Sequence, residues 1–551
     1  MKKYLRMTAL SLSVVMAFSL FTGCGGKKET GTNPGTSTQT STQSASGNTL
    51  PLVTKPTKVS IWQQNYQSKT VKSYSEILAH QEIEKRTGVT IEWIHPASSD
   101  PTAIREQFNL MIASNDLPDI IFNGWNTTLS KYVDDKVIIK LNDLIDKYAP
   151  DVKQKVLGNA KIKQQLMLDD GTIAMFPQVT AELGNVYRGY LIRQDWLDKL
   201  GLKAPTTIDE WYTVLKAFKE RDPNGNGKAD EIPLSDEKGT GLLNFAGAWG
   251  IRANKDLGCF APNPKTGKIT YGPIEPSYKD FISTMAKWYK EGLIDSEYGI
   301  VDRKVMDSKV LGNTVGALWG TNSSYMSVYL NLMKDKDPKF NIVAVPFPIG
   351  PAGKSYDTFD SNALHVPGYG GAITTKCKDP VLATKLCNYF YSDEGDALLN
   401  WGIEGQSYTV ENGKKKYTDA VMKSPDGKTP AEAVVKYTNN QNGWMKFIDQ
   451  SAGDGLLLNY PQQYFDARKI WGSADRSMLM PIVTPTAEEN QRFTNIMSEI
   501  NTYTDTMYHK FLMGREPIEK YDEFVNTLKK MGIEEAIKIQ QAAYERYKAR
   551  K

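Results

Sequence analysis

An α/β fold large enough for two or more lobes is predicted by three observations. Strand-like and helix-like patterns alternate at a short pace from residue 59 onward. About 500 residues follow a polar N-terminal ribbon, enough for substantial cores. No run within them approaches the ~20 apolar residues of a membrane span. Val59-Ser60-Ile61-Trp62 alternates as a first strand should, and Tyr74 to Thr87 carries apolar residues at helical spacing before Gly88 stops it. Val89 to Ile94 reads as a second strand. Ile104 to Ser114 is again helical, with Ile104, Phe108, Met111 and Ile112 on one side, and Leu117 to Phe122 is a third, buried strand. Such alternation implies a largely parallel sheet. Further on, the turn pair Asp170-Gly171 precedes Thr172 to Pro177, and Ile342 to Val345, closed by Pro346, is expected to be a strand on a crossover between lobes.

The N-terminus addresses the chain for export. Lys2, Lys3 and Arg6 precede an apolar run from Met7 to Phe21 that is too short to span ~30 Å of hydrocarbon. Residues 1–23 therefore read as a signal peptide. Leu20-Phe21-Thr22-Gly23-Cys24 resembles the bacterial lipobox, in which the cysteine is lipidated and becomes the new N-terminus; Phe21 departs from the usual leucine. Residues 25–50 are almost wholly Gly, Ser, Thr, Gln and Asn, so 24–50 is expected to be a lipid-anchored cysteine and flexible tether. This places the body on the extracytoplasmic face of a cell membrane.

Lys and Arg total 67 against 63 Asp and Glu, with no basic cluster interleaved with aromatics, so nucleic acid is not the expected partner. Beyond Cys24 the cysteines are Cys259, Cys377 and Cys387, widely spaced and odd in number, which suggests neither a disulfide framework nor a zinc site. His80, His95, His365 and His509 are scattered, with no HExxH; there is no GxSxG elbow and no P-loop spacing. Ser235 to Lys238 fits SxxK, a pattern loose enough to arise by chance. Acidic residues are too many for sequence alone to exclude a carboxylate pair, so an anchored glycoside hydrolase is the rival reading.

A family resemblance becomes specific in the middle of the chain. MIASNDLPDIIF, DGTIAMFP and LIRQDWLDKLGLKAPTTIDEWYTVLKAFKERDPNGNGKADEIP, followed by YFYSDEGDALLNWGIEGQSY and FLMGREPIEKYDEFVNTLKKMGIEEAIKIQQAAYERYK, occur in the order seen in family 1 extracellular solute-binding proteins of bacterial ABC transporters. The chain is most similar to the large oligosaccharide-binding lipoproteins, including the alginate-binding type. The resemblance implies a two-lobe periplasmic-binding-protein-like α/β fold (type II), with several hinge crossovers and a ligand cleft between the lobes. By that analogy the first lobe takes roughly residues 55–175 and 345–415, and the second 176–344 and 416–551. It also implies a monomer that is not an enzyme, with an oligosaccharide ligand and ABC permease subunits as partners. A receptor of the same fold for peptides or phosphorylated small molecules is the other alternative.

The clearest residue-level signal is Asp222-Pro223-Asn224-Gly225-Asn226-Gly227-Lys228-Ala229-Asp230-Glu231. Oxygen-bearing side chains at loop positions 1, 3 and 5 with glycine at 6 match the start of an EF-hand loop, which gathers six to eight oxygens around Ca2+ at ~2.4 Å. Thr207 and Glu210 form a capping box for an incoming helix carrying Ile208, Trp211, Val214, Leu215 and Phe218 at helical spacing. Position 12 is Pro233, which argues against a normal exit helix. The alternative is an Asn-Gly-rich turn that is merely acidic. The resembling alginate-binding proteins carry calcium on such a loop, which implies Asp222, Asn224, Asn226, Lys228 through its carbonyl, Asp230 and Glu231 as ligands of a structural Ca2+.

Sugar sites combine flat aromatics for stacking with planar amides, carboxylates and guanidinium groups for hydrogen bonds, and the chain has 11 Trp and 28 Tyr. Loops that follow strands are where an open α/β sheet collects ligand. On that ground Trp62, Gln63, Asn65 and Tyr66 after the first strand and Trp125 after the third, with its neighbours Asn123 and Asn126, are candidate ligand contacts. Arg188, Tyr190, Trp249, Trp319 and Tyr369 join them from later loops and strand ends. Trp196, Trp211 and Trp288 lie on helical patterns and are expected in the core.

Overall fold

The computed structural model describes residues 49–125, 128–180, 186–254, 258–359, 365–439, 443–458 and 460–550. The signal segment, Cys24, most of the tether and Asn126 lie outside them. Two mixed sheets, each with its own hydrophobic core, organise the body as two lobes.

The first sheet has the order Val89–Ile94, Thr57–Trp62, Ile120–Gly124, Tyr369–Ile373, Phe176–Pro177. Thr57–Trp62 pairs in parallel with both neighbours. Tyr369–Ile373 then enters antiparallel to Ile120–Gly124 and to Phe176–Pro177, so the expected parallel sheet is parallel only on one side. The reason is the late return of the chain, a long-range pairing invisible to local pattern.

Local chemistry explains where elements begin and break. The expected helix over 74–87 is two: Ser73 caps a short turn Tyr74–Glu76, buried Ile77 is extended, and Leu78–Thr87 follows, ended by Gly88 at φ 73°. The next helix starts earlier than its apolar pattern, at Pro101, because Asp100 accepts the N–H groups of Thr102 and Ala103. The third strand begins at Ile120 rather than Leu117. Pro118 has no N–H to give a ladder, and the Asp119 carboxylate turns to Ser60 N and Oγ, both at 2.8 Å.

The second sheet has the order Ile342–Val345, Arg188–Arg193, Val315–Thr321, Ile232–Ser235. Arg188–Arg193 runs antiparallel to both neighbours, and Val315–Thr321 is parallel to Ile232–Ser235. The crossover strand expected at Ile342–Val345 is present. After it the chain returns to the first sheet at Tyr369. Val435, Trp444 and Met445, beyond the expected return segment 345–415, also pack in the first core. The helices Gln462–Gly472, Ala487–Leu512 and Ile533–Ala549 pack on the second.

An ion network ties that last helix back to the first lobe. Arg546 and Arg550 donate to Asp169 at 2.7 Å each, Arg546 also reaches Glu489, and Arg550 reaches Thr484 Oγ1 at 3.0 Å. Arg550's side chain is almost fully buried, so its charge depends on Asp169 for compensation. Among the described residues no helix is long and apolar enough to cross a membrane.

Candidate functional site

A cavity of about 700 Å3 lies between the two sheets. From the first lobe it receives Tyr66, four residues past the first strand, Gln178 after Phe176–Pro177, and Tyr369 at the start of the return strand. The second lobe supplies Tyr187 just before Arg188–Arg193, Asn322 and Ser323 just after Val315–Thr321, and Tyr464 on the helix Gln462–Gly472. Ala431, Gly443, Ile448, Gly453, Leu456 and Leu457 close a third side, together with Gln450 and Tyr460.

Glycines set the two most open rings. Tyr369 sits directly across the ladder from Gly124, where a Cβ would come within 3.0 Å of its ring. A Cβ on Gly443 would come within 2.7 Å of the Tyr66 ring. Each phenol ring therefore lies on glycine. Gly443 is itself clamped, its N–H donating to Gln178 Oε1 at 2.8 Å and its carbonyl accepting from Gln63 Nε2. Tyr66 and Tyr369 remain 44% and 41% exposed. Partial burial pushes the Tyr66 phenol up to about 12, and nearby Tyr369 adds to the rise. The Tyr66 phenol therefore stays neutral throughout the physiological range.

Opposite them, Asn322 Nδ2 donates to the Tyr464 carbonyl at 3.3 Å, while its Oδ1 is buried without a partner among the described residues. Tyr460 and Tyr464 stand with ring centroids 5.0 Å apart.

The other expected ligand contacts are placed elsewhere. Trp62 is buried 5.6 Å from Phe108, and Trp125 lies between Phe108 and Tyr132 with Nε1 donating to Gly370 O at 2.8 Å. Tyr190 and Trp319 are partners on one rung of the second sheet, their rings 4.9 Å apart and both fully buried. Trp249 packs on Phe281 in the same core. Gln63 and Asn65 are buried and act from behind the cavity: Gln63 holds Gly443, and Asn65 Nδ2 caps the turn to Val71 O at 2.9 Å. Arg188 lays its guanidinium against Trp319 and Phe359 rather than into the cavity. Arg188 at the strand start is half-buried, whereas Trp62, Tyr190 and Trp319 are core because the sheets that carry them are covered on the side they face. Trp196, Trp211 and Trp288 are likewise fully buried. Sequence reasoning missed Gln178, Tyr187, Asn322, Ser323, Tyr460 and Tyr464.

Behind Arg188, Asp236 is fully buried, its Oδ2 accepting the N–H groups of Gly241 and Leu242 at 2.5 and 3.0 Å and its Oδ1 without a partner among the described residues. Burial pushes its carboxyl up to about 7, against the two N–H donors and the Arg188 charge, with Glu237 adding to the rise. A carboxyl raised on folding contributes stability that is full below its unfolded pKa and is lost as pH rises towards 7. Asp236→Asn is therefore expected to flatten the melting temperature between pH 4 and 7, removing a slope of at most about 1.4 kcal/mol per pH unit. Melting curves across that range would show it; an unchanged slope would refute the assignment.

The acidic loop folds as its spacing suggests. The capping box of Thr207 and Glu210 starts the helix Ile208–Glu220, and the strand Ile232–Ser235 replaces an exit helix at Pro233. Asp222, at φ 44°, accepts the N–H groups of Gly225 and Asn226 on Oδ1 and of Gly227 on Oδ2. The amides of Asn224 and Asn226 donate to Asp230 at 2.9 and 3.0 Å, which holds that carboxyl below its usual range. Glu231 Oε1 is buried with no partner among the described residues, and burial raises that carboxyl, with repulsion from Asp222 and Asp230 adding to it. Among the described residues no three His, Cys, Asp or Glu side chains converge as a metal site. The donor set is nonetheless all oxygen, and an orphaned buried carboxylate oxygen is what a hard cation would satisfy. These residues fit Ca2+ in kind.

The family model for bacterial extracellular solute-binding proteins matches residues 67–397. The chain belongs to that family. It is similar to a fructooligosaccharide ABC transporter substrate-binding protein, FusA, of Streptococcus pneumoniae serotype 4, 28% identical over 495 residues that cover 87% of this chain and 89% of the relative. Two solved structures, each 26% identical to it over 90% of its length, extend the likeness. One is the alginate-binding protein AlgQ2 without calcium ion, covered over 99% of its length with TM-score 0.67. The other is an EF-hand mutant of the S. pneumoniae FusA in complex with fructo-nystose, covered over 100% with TM-score 0.68. The two-lobe α/β expectation for this solute-binding protein is met. Ser235, the head of the loose SxxK pattern, is buried with its hydroxyl donated to Asp295 at 2.6 Å.

Proposed function

We propose that this solute-binding protein is the lipid-anchored receptor of an ABC importer, capturing an oligosaccharide in the inter-sheet cavity and presenting it intact to a membrane permease. The observation that carries this reading is the cavity wall: tyrosine faces with amides and hydroxyls, drawn from both lobes, are the groups that stack on sugar CH faces and bind sugar hydroxyls. Contacts from both lobes favour the closed state when ligand is bound, so binding couples to hinge closure. The lobe assignment proposed here gives the first lobe residues around 57–180 and 366–457, and the second 186–347 and 460–550. Cys24 is the proposed anchor, holding the body on the extracytoplasmic face. Similarity to relatives named for oligosaccharides supports the ligand class.

The test is a melting-temperature screen against a glycan panel with recovery of the ligand afterwards. A glycan at about 100 times its Kd should add ~2.7 kcal/mol of stability and be recovered unchanged. Recovery of cleaved glycan would favour the hydrolase alternative, and no shift with any glycan would count against the carbohydrate reading.

The proposed structural Ca2+ is held by Asp222, Asn224, Asn226, the Lys228 carbonyl, Asp230 and Glu231. Saturating Ca2+ is expected to raise the melting temperature over chelator. Glu231→Gln should abolish most of that difference while matching or exceeding wild type in chelator, because the amide removes a charge that burial and two neighbouring acids disfavour. A wild-type melt indifferent to chelator would remove the calcium assignment.

A further inference from the structure

Resting on the oligosaccharide reading, we infer that the cavity selects an uncharged oligosaccharide and discriminates against acidic ones. Every described residue that lines it is uncharged: tyrosines, Gln178, Gln450, Asn322, Thr180, Ser323 and small or apolar residues. A uronate chain carries a negative charge on every sugar, and taking those charges out of water costs several kcal/mol each unless cations or focused N–H groups meet them. No guanidinium or ammonium lines this wall among the described residues.

Of the cations near the lining residues in sequence, Lys69 and Lys428, three residues from Tyr66 and Ala431, are exposed and outside the lining, and three others are held elsewhere. Arg188 lies against two aromatic rings beside buried Asp236. Arg468 donates to Asp454 at 2.6 Å. Lys446 is fully buried, donating to the Leu399 carbonyl at 2.8 Å, with Asp396 and Asp449 opposing the effect of its burial. Arg468 and Lys446 face acids, Arg188 faces aromatic rings, and none of the three lines the cavity. The stretches 181–185, 360–364 and 440–442 and position 459, next in sequence to the described segments of this region, contain no Lys or Arg. What the wall offers instead are neutral groups: the tyrosines, Ser323 and Thr180, and the amide residues Gln178, Gln450 and Asn322. Its volume exceeds what one sugar ring fills.

Calorimetric titration of the protein with two probe sets tests this. The neutral set is kestose, nystose, cello-, xylo- and galacto-oligosaccharides; the acidic set is oligogalacturonides and oligomannuronates of matching length. The expected result is binding by at least one neutral probe, with Kd changing less than about twofold between 20 mM and 500 mM NaCl, since no ion pair is there to be screened. Acidic probes should bind at least about a hundredfold more weakly. Tighter binding of an acidic probe, or a neutral-probe affinity that falls steeply with salt, would overturn the inference while leaving the oligosaccharide reading intact. Failure of both sets to bind would overturn the two together.

Discussion

Alanine at Tyr66 or Tyr369 is expected to weaken the bound glycan by about 1.5 kcal/mol each, close to tenfold in Kd. These are the most open aromatic faces in the cavity, and each ring is backed by glycine, Gly443 behind Tyr66 and Gly124 behind Tyr369. A platform of this kind is already ordered before ligand arrives, so little side-chain entropy is lost on stacking. Because the two rings are neighbours touching one ligand, the double variant should cost at least about thirtyfold without being strictly additive. Phenylalanine at either site keeps the face and loses only the hydroxyl, so it should retain most of the affinity. Neither residue carries the core, and the melting temperature without ligand should move little. Full affinity in the double alanine variant would show that the ligand sits elsewhere.

Trp471→Ala is expected to cost about 3–5 kcal/mol of stability. The indole is fully buried, lies on the backbone of Gly189, and donates from Nε1 to the Val345 carbonyl at 3.1 Å, pinning the helix Gln462–Gly472 to the second sheet. That helix delivers Tyr464 to the cavity, so ligand affinity should fall along with stability. The converse change tests the same contact. A Cβ on Gly189 would come within 2.4 Å of the indole, and Gly189→Ala should destabilise by about 1–3 kcal/mol. In the Trp471→Ala background there is no ring to strike, so the second substitution should be nearly neutral. Strict additivity in that cycle, read from denaturant unfolding, would contradict the packing described.

Much of the first lobe was legible because its elements are short and punctuated. Gly88 ends one helix, the apolar spacing from Ile104 marks the body of the next, and the strand cores at 59–62 and 89–94 alternate as strands do. The acidic loop was legible for the same reason, since its spacing is local. The antiparallel return of Tyr369–Ile373 was not, because no local pattern says which strand a distant segment will join.

The cavity was only partly legible. The rule that ligand gathers in loops after strands points to Tyr66, and at Val315–Thr321 it points to Asn322 and Ser323; Trp319 is inside that strand and buried. Residue type tells what a side chain could do, and not which way it points. Trp62, Trp125 and Tyr190 are as suited to sugar as any tyrosine in the cavity, but the sheet turns them inward. Tyr464 stands in the first turn of the helix Gln462–Gly472 and Tyr460 precedes it across Pro461, so no helical spacing marked the pair.

The most direct test of the account is a crystal structure of the protein with a glycan found to stabilise it. The account predicts sugar density between the two sheets, with rings stacked on Tyr66 and Tyr369 and hydroxyls within hydrogen-bond reach of Gln178 or Asn322. Glycan bound away from that cavity, or held there by charged side chains, would contradict it.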